Sequence, residues 1–338
     1  MKCALCQTNQ ANQRNTHYLT DSIIRTCLNQ DGSNVRETGF YFDISNETPY
    51  IDFNFQRETS IEKLERSLGR KVNDEEIEKA KKIPFSVDYV FCKNCEDLFT
   101  KIETSFIEKI LPKFRNSNLT GTKGIELEEN KITKLFFYLQ VWRTAVCEDI
   151  YEIETSAFEI LRNTILNNEK IDNDNIPIFP IHITYLQVLG DEKEYTSNLV
   201  GCTNDTNPNI IFMNDFVIQL FDSENSISEI EFYGLNDTKD LKQLINLDNK
   251  KFKIKILEND RRLEIITRLN REEKVQQAVS SILERFIKKW FSIFGSLPNQ
   301  FLMKEYADYV TEGDFDVLKY TEEVIGAKEN VFISNQIK

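Results

Sequence analysis

Two short cysteine motifs decide the fold of the first third of this chain: Cys3-Ala4-Leu5-Cys6 and Cys92-Lys93-Asn94-Cys95. Two residues between thiolates let one tight turn aim both sulfurs at a single ion, and two such turns complete a tetrahedral site. The alternative is a set of unrelated buried thiols, because a free cysteine packs as a small hydrophobic residue. The spacing predicts a structural Zn2+ site whose ligands are Cys3, Cys6, Cys92 and Cys95.

The residues around the two motifs predict a treble-clef zinc module. His17 follows the first motif on a predicted strand, and apolar residues at helical spacing after Cys95 predict that the second motif opens a helix. Backbone amides and the dipole at a helix N-terminus favour thiolates there. The 85 residues between Cys6 and Cys92 exceed the spacing of ordinary zinc ribbons. We therefore expect an insertion, with helices over about 60–83.

This order of motifs resembles the HNH, or ββα-metal, nuclease family in its zinc-bearing form. The segments CALCQ, THYL, YVFCKNCEDLFTKIE and VWRTAV are similar, more closely, to a group of bacterial treble-clef proteins. The resemblance covers about residues 1–150 and implies a component of a bacterial anti-phage system. The matching residues are Cys3, Cys6, His17, Cys92, Cys95, Glu96, Phe99, Glu103, Trp142 and Arg143.

The resemblance also implies a hydrolytic site. In HNH enzymes the strand histidine, here His17, is the general base toward water, and a divalent ion stabilises the leaving oxygen. Family members commonly carry His or Asn after the last cysteine, where this chain has Glu96, whose carboxylate suits Mg2+ or Mn2+. Glu103 lies about two helical turns further along the same face. The implied catalytic set is His17, Glu96 and Glu103, acting on DNA or RNA.

Each of these three residues also has a structural interpretation. His17 can hydrogen-bond in a β-hairpin or replace a cysteine as a zinc ligand, Glu96 suits the first turn of a helix, and Glu103 can be solvated. The family's middle asparagine and second histidine have no identifiable counterpart here. The alternative function is therefore a non-catalytic, zinc-stabilised subunit that binds a protein partner in a larger assembly.

The charge of the chain is uneven and restricts any contact with nucleic acid. The 338 residues carry a net charge of -13, yet residues 1–118 hold 17 Lys and Arg against 18 Asp and Glu. An acidic surface does not coat nucleic acid or an anionic membrane, so such a contact is expected only through the N-terminal module. Its densest basic group comprises Arg66, Arg70, Lys71, Lys79, Lys81 and Lys82. The alternative interpretation is that these charges complement the dipoles of the helices that carry them.

The changing pattern along the chain predicts an α+β fold with three parts. Residues 1–118 form the treble-clef zinc module, residues 119–170 a helical segment that packs on it, and residues 176–338 an α+β domain. In this last domain a mainly antiparallel sheet is packed by a long helix over Arg271–Phe294. Its predicted strands are 178–189, 197–203, 209–221, 227–233, 251–257 and 262–268.

No segment has the length and apolar character of a membrane span, and no signal peptide is visible after Met1. We therefore expect a cytoplasmic chain with reduced thiols and no membrane contact. Only two histidines are present, His17 and His182, which excludes a histidine-rich metal site. His182 lies in an apolar run, and we expect it to be a satisfied residue of a strand.

Overall fold

The computed structural model describes residues 1–28, 39–43, 50–54, 61–62, 65, 71, 74, 85–187, 199–203, 206–227, 235, 242–313 and 317–337. These residues form two compact units, Met1–Ile266 and Thr267–Lys338. The mixed α+β class predicted from the sequence is confirmed. The three predicted domains stay a prediction, and nearly all of the insertion at 60–83, including its basic group apart from Lys71, lies outside the described residues.

The described helices and strands alternate along the chain. From the N-terminus they are β1 (Thr16–His17), α1 (Asp21–Leu28), β2 (Gly39–Asp43), β3 (Tyr50–Asn54), β4 (Ser86–Val87), α2 (Lys93–Lys109), α3 (Pro112–Arg115), β5 (Gly124–Leu127) and α4 (Asn130–Cys147). There follow α5 (Thr155–Leu166), β6 (Ile181–Leu186), β7 (Leu199–Cys202), β8 (Asn209–Met213), β9 (Phe216–Leu220), β10 (Phe252–Leu257), α6 (Asn259–Phe294), α7 (Gln300–Thr311) and α8 (Glu322–Gln336).

Eight of the described strands form one sheet in the first unit, in the order β3-β2-β7-β8-β9-β6-β10-β5. The sheet is mainly antiparallel, as predicted, and the parallel pairs are β2 with β7 and β6 with β10. The β2–β3 hairpin, which was assigned to the N-terminal module, joins this sheet through β7. Strands from all three predicted domains therefore share one sheet.

One face of the sheet packs against helices that carry the N-terminal site. Phe106 of α2 stacks on Phe136 of α4 with ring centroids 3.8 Å apart, and Phe216 of β9 packs edge-on against Phe106 at 5.9 Å. All three rings are fully buried. Burying aromatic side chains of this size supplies a large share of the free energy of folding, so α2 is held firmly on the sheet.

A buried charge network joins α1 to the sheet. Arg115 of α3 donates through Nε to Asp215 Oδ2 at 2.6 Å, in the turn between β8 and β9. The same guanidinium donates to the backbone carbonyls of Ser22 and Ile23 in α1, at 3.2 and 3.0 Å. Because Asp215 is buried, this pairing is expensive to break and fixes the start of α1.

The strand predicted over 262–268 is wrong, because α6 already begins at Asn259. Arg262 donates its backbone N–H to the carbonyl of Glu258 at 3.0 Å, and Ile265 and Leu269, four residues apart, are both buried. The apolar residues of this short stretch fit both the two-residue period of a strand and the 3.6-residue period of a helix, and the structure has a helix. The strand predicted over 227–233 lies almost entirely outside the described residues.

The second unit packs the end of α6 against α7 and α8. Phe286 stacks on Tyr306 with centroids 3.9 Å apart, and both rings contact Phe332 edge-on. Ile282, Phe286 and Trp290 of the apolar stripe belong to the core that this end of α6 forms with the two helices. None of the helices in the described part of the chain is both long and apolar enough for a membrane crossing.

Candidate metal centre

Four thiols converge between the start of the chain and α2, as the sequence predicted. The sulfurs of Cys3, Cys6, Cys92 and Cys95 all lie within 4.8 Å of one another, and those of Cys6 and Cys92 are 3.9 Å apart. Tetrahedral zinc with sulfur bonds of about 2.3 Å requires sulfur–sulfur edges of about 3.8 Å. The four cysteines can therefore hold a metal ion, and their spacing is consistent with zinc.

A tight loop in the first motif presents two of these sulfurs. Cys3 donates its backbone N–H to the carbonyl of Asn9 at 2.8 Å, and Gln7 donates to the carbonyl of Cys3 at 2.9 Å. Gln7 takes a left-handed φ of 57°, which closes the turn. The Asn9 backbone N–H points at Cys6 Sγ at 3.5 Å, and its side-chain amide at Cys92 Sγ at 3.7 Å. Such donors stabilise thiolates and orient them toward a metal.

The second motif lies at the N-terminus of α2. The backbone N–H groups of Cys95 and Glu96 both donate to the carbonyl of Cys92 at 3.0 Å, which begins the helix. Free amides of the first turn then favour negative charge on the sulfurs. Because Cys92 and Cys95 are buried, a structure with all four thiols ionised needs a cation to offset their mutual repulsion.

The thiols influence each other's protonation. The hydrogen bond with Cys95 lowers the pKa of the Cys3 thiol to about 4, although burial opposes this change. The same hydrogen bond raises the pKa of Cys95 far above its usual value. Because the pKa of Cys95 is raised, we expect full deprotonation of the four thiols only with a bound cation, since metal ligands must lose their protons.

His17, the candidate general base, lies on β1, which pairs with β4. Its Nε2 is 3.8 Å from Oδ1 of Asp21, and both side chains are partly exposed. The backbone carbonyl of His17 accepts a hydrogen bond of 3.0 Å from Nη1 of Arg143. The side chain is therefore oriented beside a carboxylate, and its strand is tied to α4.

Glu103 is held by its neighbours, contrary to the interpretation of a solvated side chain. Its Oε1 accepts hydrogen bonds from Nη2 of Arg143 at 2.5 Å and from Oγ1 of Thr20 at 2.7 Å. Arg143 itself is buried. This ion pair gives the buried guanidinium of Arg143 an acidic partner. Glu103 is thereby engaged in joining α2 to α4.

Glu96 is partly buried near the same guanidinium. Its Oε1 has no hydrogen-bond partner, and burial raises the pKa of this carboxyl to about 7, while Arg143 acts in the opposite direction. Within the described ranges, the four cysteines are the one group of three or more potential ligands close enough to share an ion. His17, Glu96 and Glu103 do not form a second such group, and their catalytic role stays a prediction.

Two functional neighbours were missed in the sequence. Thr20 donates its backbone N–H to Oε1 of Gln140 at 3.2 Å, and that oxygen also accepts from Arg143 Nη2 at 3.2 Å. Both side chains are buried. The available signal was a glutamine within the otherwise apolar run Leu135–Trp142 of α4, because a buried polar group requires a partner.

Comparison with protein-family models, with curated proteins and with solved structures finds no match to this chain.

Proposed function

We propose that this chain is a non-catalytic, zinc-stabilised subunit that binds a protein partner in a larger assembly. The observation that carries the proposal is the distribution of exposed apolar side chains along the chain. Among the described residues fourteen large hydrophobic side chains are exposed, and nine belong to Thr267–Lys338. Concentrated exposed apolar side chains favour a protein interface. The nine are Phe291, Ile293, Leu297, Phe301, Tyr309, Leu318, Val324, Val331 and Ile337.

The chemistry of the four cysteines supports a structural role for the metal. Structural zinc sites are closed by four protein ligands, whereas catalytic sites keep a position open for water or substrate. Four thiols within 4.8 Å of one another supply a complete ligand set. The ion would join the first residues of the chain to α2, and Mg2+ or Mn2+ has no part in this proposal.

The proposal is tested on the full chain in its native host. We expect a tagged chain to elute from a sizing column at a mass well above 39.7 kDa. We also expect the His17→Ala variant to support the same complex, because the substitution keeps the backbone carbonyl that accepts a hydrogen bond from Arg143. Elution of the tagged chain only at the mass of a monomer would contradict the proposal.

A metal-dependent nuclease is the second candidate, and one observation favours it. β1 and β4 pair antiparallel and α2 follows, with His17 on the first strand beside Asp21. This order matches the ββα arrangement that the resemblance implies. The test is purified chain with plasmid DNA or RNA and Mg2+ or Mn2+, where His17→Ala should abolish cleavage. Intact substrates would dismiss this candidate and, with it, the anti-phage nuclease role.

A further inference from the structure

A cleft in the first unit is lined by α2, the start of α4 and the residues that follow α5, and by none of the four cysteines. It encloses a cavity of about 170 Å³. For comparison, an apolar cavity of about 150 Å³ in another protein holds benzene. The cleft can therefore receive an apolar group about the size of one aromatic ring.

The floor of the cleft is apolar and already formed. Ile102 of α2 and Leu135 of α4 are buried there, and Ile132 is partly buried beside them. The stacked rings of Phe106 and Phe136 join the same two helices. Because α2 and α4 are packed together without a ligand, binding in the cleft costs little conformational entropy. Concave, largely apolar and preformed surfaces are typical of sites for small molecules.

The rim of the cleft carries two ammonium groups and one carboxylate. Lys131 donates through Nζ to the carbonyl of Ile171 at 2.5 Å and pairs with no carboxylate of the described part of the chain, so it keeps two N–H donors for a ligand. Lys101 Nζ lies 3.2 Å from Oε1 of Glu169, and both side chains are 70% exposed, so this ion pair is weak and can open. Two cations against one carboxylate leave the lining with a single positive charge.

We propose that this cleft binds a small aromatic carboxylate, such as an arylacetate. The ring occupies the apolar floor, and the carboxylate accepts hydrogen bonds from Lys131 and Lys101 at the rim. One negative charge on the ligand balances the one excess positive charge of the lining. The chain as a whole carries -13 and repels anions at long range, so the two lysines supply the attraction locally. This site goes beyond the proposed function, because it requires neither a metal ion nor a protein partner.

Ligand-observed NMR on the purified full-length chain with phenylacetate tests the proposal. We expect saturable binding with a dissociation constant on the order of 1 mM, which is usual for a ligand of this size. Phenylacetamide has the same shape without the charge, and acetate keeps the charge without the ring. Each should bind at least about 5-fold more weakly than phenylacetate, because each loses one of the two contacts.

Substitutions locate the binding in the cleft. Ser105→Leu places a larger side chain in the cavity and should raise the dissociation constant for phenylacetate at least about 10-fold. Lys131→Met keeps the apolar stem, removes the charge and should raise it about 5-fold. Glu169→Gln removes the negative charge of the rim and should lower it about 2-fold. The matched control is Lys109→Met, an exposed lysine of α2 outside the lining, which should leave it unchanged.

Thermal unfolding curves without ligand show whether each variant has kept its fold. Absence of saturable phenylacetate binding to the unaltered chain overturns the proposal, and so does equal binding of phenylacetate and phenylacetamide. Binding that neither Ser105→Leu nor Lys131→Met weakens also overturns it. If those two variants do not fold, the exposed substitution Glu169→Gln decides, and a dissociation constant that does not fall contradicts the proposal.

Discussion

Arg143 of α4 donates a hydrogen bond of 2.5 Å to the carboxylate of Glu103 on α2, in a pair that is buried at the guanidinium end. The two residues lie forty positions apart in the chain. Through its other terminal nitrogen Arg143 holds the carbonyl of His17 on β1. The guanidinium of Arg143 thus links the strand after the first cysteine motif with the helix that carries the second motif.

Removing the guanidinium of Arg143 should destabilise the first unit strongly. Arg143→Leu leaves Glu103 without its cationic partner, and breaking a buried pair in this way costs about 3–5 kcal/mol. Urea unfolding measures the change in the free energy of unfolding. The matched control is Lys101→Ala, since Lys101 and Glu169 form an exposed pair at 3.2 Å that contributes at most about 1 kcal/mol. Equal losses in the two variants would refute the structural role of Arg143.

Loss of one thiolate should release the metal. We expect about one zinc per chain by elemental analysis, and Cys92→Ser should lose it and unfold at a much lower temperature. Structural zinc supplies on the order of 10–16 kcal/mol of apparent folding free energy in finger peptides. Cys147→Ser is the control, because Cys147 lies outside the group of four sulfurs. Full zinc content in Cys92→Ser would contradict the assignment of the ligands.

Acid should destabilise the chain through His182. Burial, and to a lesser extent the charge of Lys255, lowers the pKa of His182 to about 3. Below a pH of about 6.5, the ordinary pKa of histidine, His182 binds a proton in the unfolded chain but stays neutral in the folded chain. Stability therefore falls as the pH drops toward 3, by about 2 kcal/mol at pH 5.

His182→Gln removes this titration, because glutamine stays neutral. Between pH 7.5 and 5 the unaltered chain should lose about 2 kcal/mol more stability than the variant, as measured by urea unfolding at both pH values. Parallel losses would show that His182 can take up its proton in the folded state. The Gln219 amide, 3.4 Å from Nδ1 of His182, is left in place in both proteins.

Glu329 should be a main support of the second unit. This buried carboxylate accepts hydrogen bonds from Lys289 at 2.9 Å and from Arg285 and Tyr306 at 3.1 Å each. Hydrogen bonds to a charged group contribute about 1.5–3 kcal/mol, so Glu329→Gln should cost about 2–3 kcal/mol. Glu312→Gln removes an exposed acid paired with Lys328 and should leave the unfolding curve nearly unchanged. Similar thermal unfolding curves for both variants would contradict this ranking.

Much of the candidate site could be predicted because its signals are local. The spacing of each CxxC motif restricts two sulfurs to one turn, and the apolar period after Cys95 places the second motif on a helix. The role of Glu103 could not be predicted, since its partner Arg143 comes from another helix. The contacts of the end of α6 with α7 and α8 could not be predicted for the same reason, because a helical stripe does not specify which element covers it.

By itself, the sequence determined the four cysteines that could hold a metal ion, the α+β class and the presence of the long helix, because these depend on spacing and periodicity between near neighbours. Only the tertiary structure decided that the β2–β3 hairpin joins the large sheet and that Arg143 forms an ion pair with Glu103. It also decided that Leu297 and Phe301 remain exposed. The physical reason is that pairing and burial depend on which distant elements meet, and hydrophobicity alone does not specify the partner.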